Sequence, residues 1–126
     1  MKHMTEIVST LFLSREQAHR AHLRTKSYAQ HVALGEFYEA VVDMADSFAE
    51  VAQGTYGLLP EIPFKTPTKG QIADVLEVHL ECIEDCKSKF DKPCDGPLLN
   101  IIDEIGALYA KTLYKLRNLA CQTAYV

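Results

Sequence analysis

Five histidines stand in a chain of 126 residues that also carries seventeen Asp and Glu, a donor set suited to a divalent metal. The first grouping with ligand spacing is His79, Cys82 and Cys86, at i, i+3 and i+7, which puts all three on one side of a helix. With Cys94 they would make a thiolate–imidazole zinc site. The competing reading is packing, because Ile72, Leu76, Ile83 and Phe90 share that stripe and cysteine behaves as a small apolar residue. A second signal is Glu16-x-x-His19, a spacing used in di-iron helical bundles. A second copy is missing, since Leu76 stands three before His79.

Helices must position these groups, because apolar periodicity is helical throughout and no segment alternates as a strand. The first helix runs from about Thr5 to Arg24. Ser27 with Gln30 is a capping-box pattern, so a second helix starts near Tyr28 and continues to about Gln53. Gly54 to Pro67 is the one long irregular stretch, held extended by Pro60, Pro63 and Pro67. Thr68 with Gln71 opens a third helix to about Phe90. A turn over Lys92–Pro97 leads into a fourth, with Leu98, Ile102, Ile105, Tyr109, Leu116 and Leu119 at core spacing. The expectation is an all-α antiparallel four-helix bundle, one domain over residues 1–126, with its longer crossover between helices 2 and 3.

On the second helix, Leu34, Phe37, Tyr38, Val41, Met44, Ala45, Phe48 and Ala52 form one apolar arc. Glu39, Asp46 and Glu50 cluster opposite it, with Asp43 beside them and His31 at the margin. A metal site inside the bundle needs carboxylates on the apolar arc, and this helix does not supply them. Two readings of the acidic face remain: an ordinary solvated surface, or a metal site assembled against a second copy. The first helix bears on the choice. It carries a core strip (Ile7, Leu11, Ala18, Ala21) and a second apolar strip (Val8, Phe12, Leu23, with His19), and His22 lies between them.

The net charge of −4 and the lack of a basic tail argue against DNA as a partner. No apolar run reaches the length of a membrane span and no signal peptide is evident, so a cytoplasmic location is expected. Cys82, Cys86, Cys94 and Cys121 contain no C-x-x-C and form no disulfide framework.

His22, His31, Asp46 and Glu50, spread over a helix–turn–helix, resemble the ferroxidase motif of the Dps-type mini-ferritins, within the ferritin-like superfamily. In that family one His ends the first helix, another opens the second, and Asp-x-x-x-Glu follows. The resemblance implies His22 and His31 as metal ligands from one subunit and Asp46 and Glu50 from another. It also implies His19 and Glu39 as orienting groups, iron as the metal (zinc or manganese also suit the donors), and Fe(II) oxidation and sequestration as the activity. It further implies a homo-dimer or larger homo-oligomer built through helices 1 and 2. This chain differs in a shorter His22–His31 interval, in Leu23 where the family commonly has Trp, and in its short crossover without the family's extra helix. The compact form is also similar to small ferritin-like proteins of bacteriophages, which leaves a second expectation: a homo-oligomeric interaction module without metal chemistry.

Overall fold

Apolar residues at helical spacing do bury together. A computed structural model describes residues 1–120, and Cys121 lies outside the described residues. The four helices are α1 (Lys2–Arg24), α2 (Tyr28–Tyr56), α3 (Ile72–Asp85) and α4 (Gly96–Tyr114). Short 3-10 turns at Lys87–Lys89 and Pro93–Asp95 join α3 to α4, and a π-helical turn, Lys115–Leu119, follows α4. Ile7, Leu11, Leu34, Phe37, Phe48, Leu76, Ile83, Leu98 and Ile105 are fully buried at the centre. Each contributes roughly 1.5–3 kcal/mol by leaving water.

The contacts define the topology. α1 and α4 each pack against both α2 and α3, which leaves α2 and α3 on a diagonal. At one end His3 lies edge-on to Phe90, and the Tyr56 hydroxyl donates to Asp95. At the other end Arg24, Gln30 and Gln71 line one crevice, and Ser27 Oγ donates to the Ala120 carbonyl. The helices therefore run up, down, down, up, and every neighbouring pair is antiparallel.

Because α2 and α3 are parallel, residues 57–71 must climb the whole bundle. Extended chain of that length reaches roughly 45–50 Å, against about 35 Å for α1, so the strap needs most of its reach. Prolines keep it extended, and Gly57 and Gly70 supply the positive φ values at its two ends. It lies along α1. Lys65 Nζ meets Glu6 at 2.6 Å and Thr10 Oγ1 at 3.0 Å. That ammonium, more than any other group, holds the Glu6 carboxyl below its ordinary range. Gln17 clasps the Thr68 backbone twice, donating to its carbonyl at 2.7 Å and accepting its N–H at 3.0 Å.

A buried polar chain completes the attachment. Tyr109 donates to Ser14 Oγ at 2.6 Å, and Ser14 lies 2.7 Å from His79 Nδ1. His79 Nε2 lies 2.9 Å from Thr68 Oγ1. Ser14 is fully buried and its hydroxyl hydrogen has Nδ1 as its bonding partner, so it donates to Nδ1, and the ring carries its proton on Nε2 and donates to half-buried Thr68. One imidazole thus links α4, α1, α3 and the strap.

This chain corrects the expected start of the third helix. Thr68 is no cap: its hydroxyl is committed to His79, and α3 begins four residues later with Gln71 uncapped at its threshold. α2 also runs one turn past Gln53, through Gly54 to Tyr56. Val8, expected in an outer strip, is buried in the core. The cause is that α1 is covered by α2, α3 and the strap together. Its Thr5, Ser9 and Thr10 are buried as well, each hydroxyl returning to a carbonyl of its own helix. Among the described residues no helix is long and apolar enough to cross a membrane.

Burial drives the His79 pKa down to about 4, with the Lys65 charge adding to the effect. The unfolded chain takes up this proton first, near pH 6.5. The stability held by neutral His79 is therefore complete above about pH 6.5 and declines as pH falls toward 4, by at most about 1.4 kcal/mol per unit. Chemical denaturation from pH 7 to 4 should show a steeper loss in the wild type than in His79→Gln. Tyr109→Phe should lower stability by about 1–2 kcal/mol at pH 7.

Candidate functional site

The α1–α2 hairpin has a three-residue link, Thr25–Ser27, and this sets the site geometry. Ser27 Oγ accepts the Gln30 N–H at 3.2 Å, starting α2 cleanly. In so tight a hairpin, His22 near the end of α1 faces His31 in the opening turn of α2. Their rings stack at 3.6 Å between centroids, 19° from parallel. Each also bonds the other's main chain: His22 Nδ1 lies 2.6 Å from the His31 carbonyl, and His31 Nδ1 lies 2.8 Å from the His22 carbonyl.

A carbonyl only accepts, so both Nδ1 atoms carry hydrogen. In its neutral form each ring is therefore the tautomer whose Nε2 bears the lone pair. Metal-binding histidines are held in this way, the far nitrogen donating to a carbonyl or carboxylate so that the near one is oriented and more basic.

Neighbouring rings extend the stack. His19 lies flat on Tyr38 at 4.1 Å, Tyr38 meets His22 edge-on at 5.2 Å, and Tyr28 lies over His31 at 6.4 Å. The Arg15 guanidinium sits 5.7 Å from the Tyr38 ring centre. Gly35 makes room for the pair, since a Cβ there would lie 3.1 Å from His22 Cε1. Sequence reasoning placed Tyr38 in the apolar arc and passed over Gly35. The available signal was a glycine in mid-helix one turn past a histidine, which marks a close approach.

Asp46, Glu50 and Glu39 are exposed on α2, on the face turned away from the core. His31 and Asp46 are fifteen positions apart on one straight element, about 22 Å at 1.5 Å per residue. One chain therefore brings the two histidines together and holds the two carboxylates far from them. Glu39 is likewise apart from the imidazoles' bonded partners, whereas His19 belongs to their stack.

The His79 and Cys82 side chains take other partners, and Cys86 packs against the core. Both His79 nitrogens are engaged by hydroxyls. The Cys82 thiol donates to Glu6 Oε1 at 3.2 Å and lies 3.8 Å from Lys65 Nζ. Cys86 is half-buried, and that burial pushes its thiol pKa up. Cys94 is exposed, 3.3 Å from the Tyr56 hydroxyl. Among the described residues no three His, Cys, Asp or Glu side chains of a single chain are grouped to hold a metal.

Replacing Gly35 separates packing from helix propensity. At Gly106, where an added Cβ meets nothing within 4 Å, Gly106→Ala should stabilise by about 0.5–1 kcal/mol. Gly35→Ala should lose that gain, because the His22 ring must move by a few tenths of an ångström and strain its bond to His31. Paired denaturation curves check this, with the His22 and His31 ring signals in NMR shifting in Gly35→Ala alone.

Comparison with known proteins shows that the chain is similar to a bacteriophage protein. It is 29% identical over 115 residues to an uncharacterised 14.6 kDa protein from the mobD–ri intergenic region of Enterobacteria phage T4, covering 88% of this chain and 85% of that one. No solved structure matches the chain. Residues 22–116 match a family of unknown function, DUF5856, over a span that runs from His22 to the last turn after α4. The chain belongs to the DUF5856 family.

Proposed function

We propose that two copies of this chain pair through α1 and α2 to form Dps-like di-metal sites that bind and oxidise Fe(II). His22 and His31 come from one copy, Asp46 and Glu50 from the other. The observation that carries this reading is the reciprocal Nδ1–H to carbonyl bonding of the stacked His22 and His31 rings, which orients both imidazoles on a fixed scaffold and leaves the Nε2 of each for a metal.

Three further features support it. The carboxylates are exposed and about 22 Å along α2 from the imidazoles, so a complete donor set needs a second chain. Leu23, Tyr28 and Val32 are exposed around the histidine pair, an apolar border of the kind a second copy covers. The up-down-down-up order with one long crossover is also the connectivity of ferritin-like bundles.

Nitrogen and oxygen ligands together suit Fe(II), and zinc or manganese as alternatives. A bound iron supplies electrons to peroxide or dioxygen. The chain's own part is to hold the imidazoles in one tautomer, bring in two carboxylates, and keep the rings aligned through Tyr38 and His19. Exposed Leu23 and Val32 favour the second reading, a homo-oligomeric module that keeps the interface without the metal. A cytoplasmic protein without DNA as a partner fits both.

Fe(II) titration under anaerobic conditions separates the two. Wild-type protein should bind iron, and Asp46→Ala with Glu50→Ala should weaken binding by about tenfold or more, since half of the donors are lost. Equal binding in that double variant would contradict the site. Oxidation no faster with protein than without it would favour the module.

A further inference from the structure

A cavity of about 870 Å³ opens between α1 and the strap, on a side of α1 distinct from the histidine pair. Leu13, Ile62, Pro63 and Pro67 form apolar walls, and Phe12 and Phe64 stand at its mouth. Phe64 is 102% exposed, with its ring left wholly to solvent by its own chain, and Phe12 is 47% exposed. An aromatic ring buries 150–250 Å² when covered, so leaving one wholly in water forgoes one of the largest apolar gains a side chain offers.

Phe64 is also held in place. Pro63 precedes it, Lys65 after it is tied to Glu6 and Thr10, and Thr68 is clasped by Gln17 and His79. The backbone that carries the ring therefore needs little ordering on contact, which suits an interface anchor.

We infer that this patch is a self-complementary interface in which Phe64 of each of two copies enters the cavity of the other. Two observations commit the occupant to a second copy. The patch carries a projecting ring beside a hollow, so a twofold axis matches each ring to the opposite hollow and closes the assembly. Its charges are also balanced. Glu16 is paired with Arg20 and Glu6 with Lys65, so two such patches meet without net repulsion, and neither a polyanion nor a polycation is favoured. This interface is separate from the one proposed around His22 and His31, so it extends pairs into larger assemblies and does not depend on metal.

The chain has no tryptophan, so Phe64→Trp installs a single reporter. Sedimentation velocity and indole emission are measured on the full chain across a range of concentrations. Association should strengthen with concentration as the emission of the Phe64→Trp variant moves to shorter wavelength, and dilution should reverse both. Phe64→Asp should weaken this association by about tenfold or more, as loss of a central aromatic anchor does. Its melting temperature at low concentration should stay at the wild-type value, because Phe64 is wholly exposed in its own chain. Adding His22→Ala and His31→Ala to the reporter variant should leave the emission shift unchanged, which keeps this test apart from that of the metal site. A wild type that stays monomeric, or that associates no better than Phe64→Asp, would overturn the inference. So would an indole that stays solvent-like while the protein self-associates.

Discussion

The fold depends on one buried imidazole. Parallel α2 and α3 on a diagonal oblige the connecting strap to travel the length of the bundle, and an unattached strap of that length would leave the side of α1 open. His79 answers this with both ring nitrogens: one accepts from Ser14, which is itself bonded by Tyr109, and the other donates to Thr68. Gln17 and Lys65 reinforce the same attachment from α1 and the strap. The arrangement stays neutral and fully partnered, and among the described residues no buried side-chain nitrogen or oxygen lacks a hydrogen bond. A charged ring in that position would lose its acceptor role toward Ser14, and burial disfavours the charge further, so its pKa falls well below the ordinary histidine value.

With the strap fixed along α1, the opposite flank of that helix is left to the α1–α2 hairpin. Its three-residue link controls the site. A longer link would let the helices splay, and His22 and His31 would lose the register that lets each bond the other's carbonyl. Gly35 then permits the close approach, and Tyr38 with His19 backs the rings. The acidic residues of α2 have no place in this packing, and their exposure follows from the same periodicity that buries Phe37 and Phe48.

Much of this was legible in the residues. Helical periodicity and the Ser27 cap located α1 and α2, the prolines and glycines located the strap, and the outward face of Asp46 and Glu50 followed from 3.6-residue spacing. What was hidden depends on tertiary partners. Thr68 has the form of a helix cap, but a hydrogen bond to distant His79 took its hydroxyl, so α3 starts late. Val8 looked like an outer residue because nothing local announces that a third element covers α1. The Nδ1 bonds of His22 and His31 were equally invisible, because spacing tells which residues meet and not which ring atom each will use.

The proposed site divides its ligands between chains, and subunit mixing tests that division most directly. Chains carrying His22→Ala with His31→Ala lack imidazoles, and chains carrying Asp46→Ala with Glu50→Ala lack carboxylates. Each alone should bind almost no Fe(II). Unfolded together and refolded at equal amounts, they should form mixed pairs with one intact site each, restoring about a quarter of wild-type capacity for random twofold pairing. No recovery on mixing, or full binding by either variant alone, would contradict a site shared between two copies.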